Sequence, residues 1–285
     1  MSTIVAHLIR HWFKWLLMAV ASAGLLLTLF AHFRPDGLVH IYFFDVGQGD
    51  AELIKTADNR YILIDGGPTG QVTKLLDDVI PMWNRKLDII ILTHPHSDHA
   101  TGLLKVLEQY QVGEFWYTGT EYNSETYRTL IQEVAQRKIP IRLANQGDNL
   151  ALGAAQLRVI FPIVEKPIAK DTNSTSIVSI FQYKNFSAIF TGDIVTSDEP
   201  QFLSAVPDVD VVKVSHHGSR LASGMDFITA AKAEVGVIGV GAKNSFGHPH
   251  PDTLARYQTA NTTIYRTDKD GTVKIITDGN RYRVL

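Results

Sequence analysis

A chain of 285 residues is long enough for one large α/β domain or two small ones, and 45% hydrophobic residues supply a sizeable core. Its net charge of -2 excludes the global basic field that is typical of proteins binding long tracts of nucleic acid. The chain has no cysteine, which excludes disulfides and thiolate metal ligands and fits a location outside the cytoplasm.

The N-terminal part carries a continuous apolar segment from Trp15 to Ala31. Together with Trp12 and Phe13, this segment is about long enough to cross a bilayer as a helix. The basic residues Arg10 and Lys14 precede it, which predicts a cytoplasmic N-terminus and an exported remainder. We therefore expect residues 1–37 to anchor the chain in the cell membrane by a single transmembrane helix.

Two alternatives to the uncleaved anchor stay open. A cleaved signal peptide would release the remainder as a secreted protein, but the small-residue triplet Ala21-Ser22-Ala23 lies inside the apolar run rather than after it. A buried core helix would normally show polar periodicity, which the segment lacks.

Residues 38–285 alternate short strands and helices, as expected of one α/β domain. Helices are predicted by apolar spacing over Thr69–Trp83, Ala100–Tyr110, Ser124–Lys138, Asp198–Val206, Gly224–Lys232 and Asp252–Thr259, and residues 162–176 are predicted to form a polar loop. Strands are predicted where apolar, β-branched and aromatic residues cluster, over Val39–Phe44, Ala51–Lys55, Arg60–Ile64, Leu87–Leu92, Gly113–Tyr117, Ile139–Leu143, Asn149–Leu152, Ala155–Phe161, Ile177–Tyr183, Ser187–Phe190, Asp208–Val214, Glu234–Val240, Ile264–Thr267, Thr272–Thr277 and Arg281–Leu285.

The most informative stretch places His94, His96, Asp98 and His99 between a predicted strand and a predicted helix. This is the carboxyl end of a buried strand, where α/β folds place their sites. Neutral imidazole and carboxylate are ligands for zinc, manganese or iron, so this spacing indicates a metal site rather than a solvated polar loop.

Further polar residues follow other predicted strands, so they are expected to meet on the same rim. Asp65 follows one strand, Asp193 another, and His216 and His217 a third. Asp65 either orients a metal-bound histidine by accepting its second ring N–H or caps a turn.

The arrangement His-x-His-x-Asp-His resembles the signature of the metallo-β-lactamase fold superfamily. The resemblance implies that His94 and His96 bind one metal, that Asp98 and His99 bind a second, and that Asp193 bridges both. Two divalent ions held so close can share a water, lower its pKa and turn it into a hydroxide nucleophile. The superfamily usually has a further histidine ligand upstream of the bridging aspartate. No histidine lies between His99 and His216 here, which shifts the preference toward harder cations, and both Zn²⁺ and Mn²⁺ stay open.

A longer set of motifs narrows the resemblance. Asp-Val-Gly-Gln-Gly-Asp, Ile-Asp-Gly-Gly, Asn-x-x-Ser, Thr-Gly-Asp, Lys-Val-Ser-His-His-Gly-Ser and Phe-Gly-His-Pro occur in order around the histidine cluster. Over about residues 38–285 the chain looks like the metallo-β-lactamase-like domain of ComEC, the DNA-uptake channel protein, a subfamily in which the further histidine is also missing. This implies an αβ/βα sandwich of two mixed β-sheets flanked by helices, and a phosphodiesterase or nuclease. The channel function does not carry over, because this chain has one apolar segment only.

The remaining site residues are expected on weaker grounds. His216 is assigned to the second metal because it follows its strand most closely, and His217 is expected to face elsewhere, since adjacent side chains on an extended chain point opposite ways. The expected catalytic groups are Asp98, His217 and Asp65. Contacts with substrate are expected from Gln48, Asn173, Lys213, Ser219, Asn244 and His248, the last of which is also a rival metal ligand.

Three kinds of function remain open. The first is an extracytoplasmic phosphodiesterase, with single-stranded DNA among the candidate substrates. The second is a hydrolase of a small ester, a lactam or a surface phosphodiester, the last resembling phosphorylcholine esterase. The third is a non-catalytic binding module, which an intact ligand set disfavours. The sequence leaves the oligomeric state open.

Overall fold

The structure is a computed structural model that describes residues 2–164 and 171–285. The chain divides into two compact units, one ending at Asp36 and the other comprising Gly37–Leu285. The first contains helix α1, Ser2–Phe33. Within the described part of the chain, no helix reaches both the length and the apolar character that a membrane crossing requires. Residues 165–170 of the predicted polar loop lie outside the described residues.

The larger unit contains two mixed β-sheets. In the first, the strand order is β15-β14-β1-β2-β3-β4-β5-β6. Its strands are β1 (Val39–Phe43), β2 (Glu52–Lys55), β3 (Tyr61–Ile64), β4 (Lys86–Ile91), β5 (Gln111–Tyr117), β6 (Ile141–Leu143), β14 (Val273–Thr277) and β15 (Tyr282–Val284). In the second, the order is β13-β12-β11-β10-β9-β8-β7. Its strands are β7 (Asn149–Leu152), β8 (Ala155–Phe161), β9 (Val178–Tyr183), β10 (Phe186–Phe190), β11 (Val211–Lys213), β12 (Val235–Ile238) and β13 (Thr263–Arg266).

Helices cover the outer faces of both sheets. They are α2 (Val72–Asp77), α3 (Ser97–Gln109), α4 (Glu125–Gln136), α5 (Met225–Ala231), α6 (Pro251–Thr259) and the short α7 (Thr267–Asp270). One apolar cluster fills the space between the sheets, a second lies between the first sheet and α2, α3 and α4, and a third lies between the second sheet and α5 and α6. The predicted αβ/βα sandwich is confirmed.

Two of the predicted helices are wrong in extent. The first is confined to α2, which ends at Asp77, where the carboxylate accepts hydrogen bonds from the Tyr110 hydroxyl and the Arg85 guanidinium. The second, predicted over 198–206, is two 3₁₀ turns, Glu199–Gln201 and Leu203–Ala205. Phe202 separates them because its φ of -125° is too extended for an α-helix.

The topology brings several strand ends to one edge of the sandwich. Strands β3 and β4 are parallel neighbours in the first sheet, and β10, β11 and β12 are parallel neighbours in the second. Parallel neighbours end on the same side, so the loops that follow these five strands meet there.

Candidate metal centre

Asp193 is the focus of the site. It follows β10 after a turn at Gly192, whose φ of +50° and close approach to Ser176 favour glycine. Its backbone N–H donates to the Ser176 hydroxyl at 3.1 Å. Four imidazole nitrogens converge on its Oδ2 atom, namely Nε2 of His99 and His217 at 3.3 Å each, of His216 at 3.9 Å and of His94 at 4.0 Å.

The histidine-rich turn after β4 supplies one side of the cluster. His94 and His99 are buried, whereas His96 and Asp98 are half-buried at the mouth. The rings of His94 and His99 lie 4.1 Å apart, and those of His94 and His96 lie 4.7 Å apart. Nε2 of His96 lies 2.7 Å from the hydroxyl of Thr172.

Asp65 holds the ring of His99 in place. Its Oδ2 atom lies 2.7 Å from Nδ1 of His99, and its carboxylate also accepts hydrogen bonds from the backbone N–H and the hydroxyl of Thr93. With Nδ1 engaged in this way, Nε2 of His99 is directed toward Asp193. A carboxylate that orients a ligating imidazole through its second nitrogen is a recurrent feature of metal sites.

His216 and His217 do not lie on an extended chain, which corrects the basis on which His217 was expected to face elsewhere. Both have left-handed backbone angles, with φ of 49° and 52°, in a turn over Ser215–Gly218. Both rings therefore face the cluster. His217 is the more central, because its Nδ1 is 2.8 Å from the Gly239 carbonyl and its Nε2 is 3.4 Å from Asp98 Oδ2.

Asp50 is a site residue that the sequence reasoning did not single out. Its oxygens lie 3.4 Å from Nδ1 of His217 and 3.9 Å from Nδ1 of His99. Gly49 positions it, because a side chain there would clash with the backbone carbonyl of Asp98. The available signal was that Asp50 closes the glycine turn that follows a buried strand, as Asp65 and Asp193 follow theirs.

Lys213 was expected to contact substrate, and the structure corrects this. Its side chain is 1% exposed. Its ammonium group pairs with Asp50 Oδ2, lies 3.5 Å from Asp193 Oδ1 and donates to the Gly192 carbonyl at 3.0 Å. It therefore neutralises carboxylates inside the cluster and is not available to a substrate.

The remaining residues expected at the substrate are placed as follows. The Asn244 side chain forms hydrogen bonds with the backbone of His248 in its own loop. The Gln48 side-chain oxygen accepts a hydrogen bond from the backbone N–H of Gly241 at 3.1 Å. Ser219 is buried and accepts a hydrogen bond from the Leu221 N–H. Asn173 is buried at the start of the segment that reaches His96, and its side-chain oxygen has no hydrogen-bond partner among the described residues. His248 is half-buried, with its ring 5.7 Å from that of His216.

The donor set fits a divalent cation. Asp50, His99, Asp193 and His217 each offer one ligand atom, and these atoms all lie within 4.8 Å of one another. Nε2 of His94, His99 and His217 are buried without a well-formed hydrogen bond to any described residue. Buried polar atoms are normally paired, so such a group of them marks a place where a cation would supply the missing partner.

The ionisable groups of the site strongly shift one another's pKa values. Burial opposes ionisation of His99 and His217, but the carboxylates around them raise the pKa of both imidazoles well above the ordinary value. Burial likewise opposes ionisation of Asp193, but His217, His99 and Lys213 hold its pKa well below the usual range. Burial and the neighbouring His99 lower the pKa of His94. The carboxylates of the site therefore favour protonation of His99 and His217, in addition to the positive charge of Lys213.

Comparison with known proteins identifies the family. A sequence profile described as the metallo-beta-lactamase superfamily matches residues 44–241. The chain belongs to this superfamily. Its members generally bind divalent metals, and the cluster at Asp193 is the corresponding candidate site in this chain. We therefore describe the protein as a metal-dependent hydrolase of the metallo-β-lactamase superfamily.

Individual relatives narrow the resemblance to the ComEC type. The chain is 26% identical over 268 residues to ComE operon protein 3 of Bacillus subtilis, covering 87% of this chain and 34% of that protein. It is 26% identical over 263 residues to competence protein ComA of Neisseria gonorrhoeae, covering 88% and 35%. The chain thus spans about a third of the length of these relatives. Among solved structures, the metallo-beta-lactamase fold protein YhfI of Bacillus subtilis shares the fold, with a TM-score of 0.52 and 15% identity over 81% of this chain and 96% of that one.

Proposed function

We propose that this protein is a phosphodiesterase that cleaves DNA, with single-stranded DNA as the favoured substrate. The observation that carries the proposal is the convergence of four imidazoles on Oδ2 of Asp193 at the rim of a ComEC-type domain. One relative is named a competence protein and another is named for the ComE operon, and the part of each that matches this chain is a ComEC-type domain, so we take DNA as the substrate class to test first.

We assign the ligands to two groups that share Asp193. Asp98, His99 and His217 would hold one divalent ion, and His94, His96 and His216 would contribute to the other. Asp50, which pairs with Lys213 and faces Nδ1 of both His99 and His217, would orient these two rings rather than act as a ligand itself. Bound Zn²⁺ or Mn²⁺ would lower the pKa of a water and so supply a nucleophile for the phosphorus atom. Lys213 would keep Asp50 and Asp193 charged and fixed, and Asp65 would keep Nε2 of His99 directed at Asp193.

A positively charged side chain that could bind a substrate phosphate, Arg220, lies beside the turn that carries His216 and His217. Arg220 is exposed and pairs with Asp252 at 3.0 Å, so it is free to exchange that carboxylate for a phosphate. It lines a cavity of about 420 Å³ together with Leu221, Arg256 and Asp171. The guanidinium of Arg256 donates to the backbone carbonyls of residues 220, 222 and 223 and therefore shapes the wall of this cavity.

We also propose that residues 1–37 anchor the protein in the cell membrane with the catalytic domain outside the cytoplasm. The support is the apolar run from Trp15 to Ala31 and the basic residues that precede it. Fusion of a reporter to the C-terminus tests the orientation. Alkaline phosphatase, which is active outside the cytoplasm, should be active in the fusion, whereas activity of a reporter that works only in the cytoplasm would contradict the proposal.

The activity is tested with the full chain, loaded with Mn²⁺ or with Zn²⁺. We expect turnover of a single-stranded oligonucleotide and of bis-p-nitrophenyl phosphate, and no turnover of a chromogenic lactam. Asp193→Asn should abolish the activity, and Asp208→Asn, which changes an exposed carboxylate paired with Lys232, should retain it. A higher kcat/KM for the lactam or for a carboxylic ester than for either phosphodiester would replace the proposal with the hydrolase of small esters or lactams.

A further inference from the structure

A large aromatic side chain is exposed at the rim of the metal centre. Phe246 is 67% exposed, at the tip of the loop between β12 and α6. Its neighbours on the tip, Lys243, Ser245 and Gly247, are polar or small and are also exposed. An isolated exposed aromatic ring is common on protein surfaces, so its meaning depends on how it is held and on what lies beside it.

The loop holds the ring firmly. The Asn244 side-chain oxygen accepts hydrogen bonds from the backbone N–H of Phe246 at 3.2 Å and of His248 at 3.0 Å, and its amide donates to the carbonyls of Gly241 and His248. The Phe246 ring stacks on the His248 ring, with 5.7 Å between centroids and 25° between planes. His248 thus lies against one side of Phe246, and the Phe246 ring remains largely open to solvent.

The stacked pair of Phe246 and His248 lies next to the metal centre. The ring of His248 lies 5.7 Å from that of His216, whose Nε2 is 3.9 Å from Oδ2 of Asp193. The loop also packs on the turn that carries the paired histidines, because the N–H of His250 donates to the Gly218 carbonyl at 2.8 Å. Phe246 therefore contacts His248, and His248 in turn contacts His216 at the metal centre.

We propose that Phe246 is a stacking platform for a nucleobase next to the phosphodiester that is cleaved. The inference rests on the proposed phosphodiesterase activity and deepens it, because it names a base-bearing strand as the substrate. Aromatic side chains bind single-stranded nucleic acid by stacking on bases with little regard to sequence. Arg220, on the adjacent turn, would hold a backbone phosphate of the same strand. A platform of this kind supplies affinity without the global basic field that is absent at a net charge of -2.

The test compares two strands that differ only in their bases. The metal-loaded full chain is titrated with a fluorescent oligothymidylate whose phosphorothioate linkages resist cleavage, and with an abasic strand of the same length and linkage. Phe246→Ala should weaken binding of the oligothymidylate about tenfold, the effect of one lost base stack, and leave binding of the abasic strand unchanged. Phe246→Trp should restore the affinity. Met82→Ala is the control, because Met82 is 78% exposed and precedes β4, at the end of that strand opposite the metal centre.

The outcomes separate this inference from the activity on which it rests. Equal affinity of the wild-type chain for the two strands, or equal weakening of both by Phe246→Ala, would overturn the platform. A parallel hydrolysis assay uses the same two strands with ordinary phosphodiester linkages. If the platform is overturned but the wild-type chain cleaves both strands, the phosphodiesterase activity is retained without the nucleobase site. Absence of cleavage together with base-dependent binding would reject the activity and retain the nucleobase site.

Discussion

The ammonium group of Lys213 lies 3.5 Å from Oδ1 of Asp193 in a position closed to solvent. The imidazole nitrogens approach the other oxygen, Oδ2, at 3.3–4.0 Å. A lysine thus occupies one side of the carboxylate and leaves the opposite oxygen to the histidines. A buried cation in this place compensates carboxylates that would otherwise repel one another.

Replacement of Lys213 should therefore destabilise the metal-free protein. We expect Lys213→Met to lower the free energy of unfolding by about 3–5 kcal/mol, because it leaves the buried charges of Asp50 and Asp193 uncompensated. Saturating divalent metal should recover part of the loss. Urea denaturation with and without metal measures both effects, with Lys232→Met as the control, since Lys232 pairs with Asp208 on the surface. Equal losses for the two variants would contradict a compensating role for Lys213.

The three histidines on the second sheet should differ in the metal they hold. We expect His217→Ala to lose the most metal, because its Nε2 is 3.3 Å from Asp193 and 3.4 Å from Asp98. His216→Ala should lose less, since its Nε2 lies at 3.9 Å, and His248→Ala should keep the full content. Metal per chain is measured by elemental analysis. Full retention by His217→Ala with loss in His216→Ala would restore the assignment that the sequence favoured.

Asp65→Asn should weaken metal binding without removing a ligand. The substitution takes away the anionic acceptor 2.7 Å from Nδ1 of His99, and loss of such an orienting group typically costs about 10–100-fold in affinity. Competition with a chromophoric chelator gives the change. Asp88→Asn is the matched control, because Asp88 also accepts a backbone N–H, that of Tyr61, but outside the metal cluster. An equal effect of the two substitutions would indicate general destabilisation instead.

Metal affinity should fall as the pH is lowered. In the metal-free protein the surrounding carboxylates raise the pKa values of His99 and His217 well above the ordinary value, so protons compete with a cation for both rings up to a higher pH than for an ordinary imidazole. A cation must displace these protons, and a lower pH makes the displacement harder. Titration calorimetry in two buffers of different ionisation enthalpy measures the proton release. Binding that releases no proton at neutral pH would show that the rings are neutral before the metal arrives.

The histidine turn, Asp65 and Asp193 were recognisable in the sequence because each directly follows an apolar strand. That relation is local, since the strand pattern and the polar residues after it are adjacent in the chain. The order of the motifs indicated the superfamily for the same reason. The two sheets and their flanking helices followed from the alternation of strand and helix patterns together with that resemblance.

The partners of Asp193 were decided only by the tertiary structure. Lys213 and Asp50 belong to different sheets and are separated by more than half of the chain, so no spacing in the sequence indicates that they pair. The orientation of His216 and His217 depends on left-handed backbone angles, which the residues themselves do not require and which the surrounding fold imposes. Local sequence determines which side chains reach the rim, whereas the approach of the two sheets and the backbone angles of one turn determine which atoms meet there.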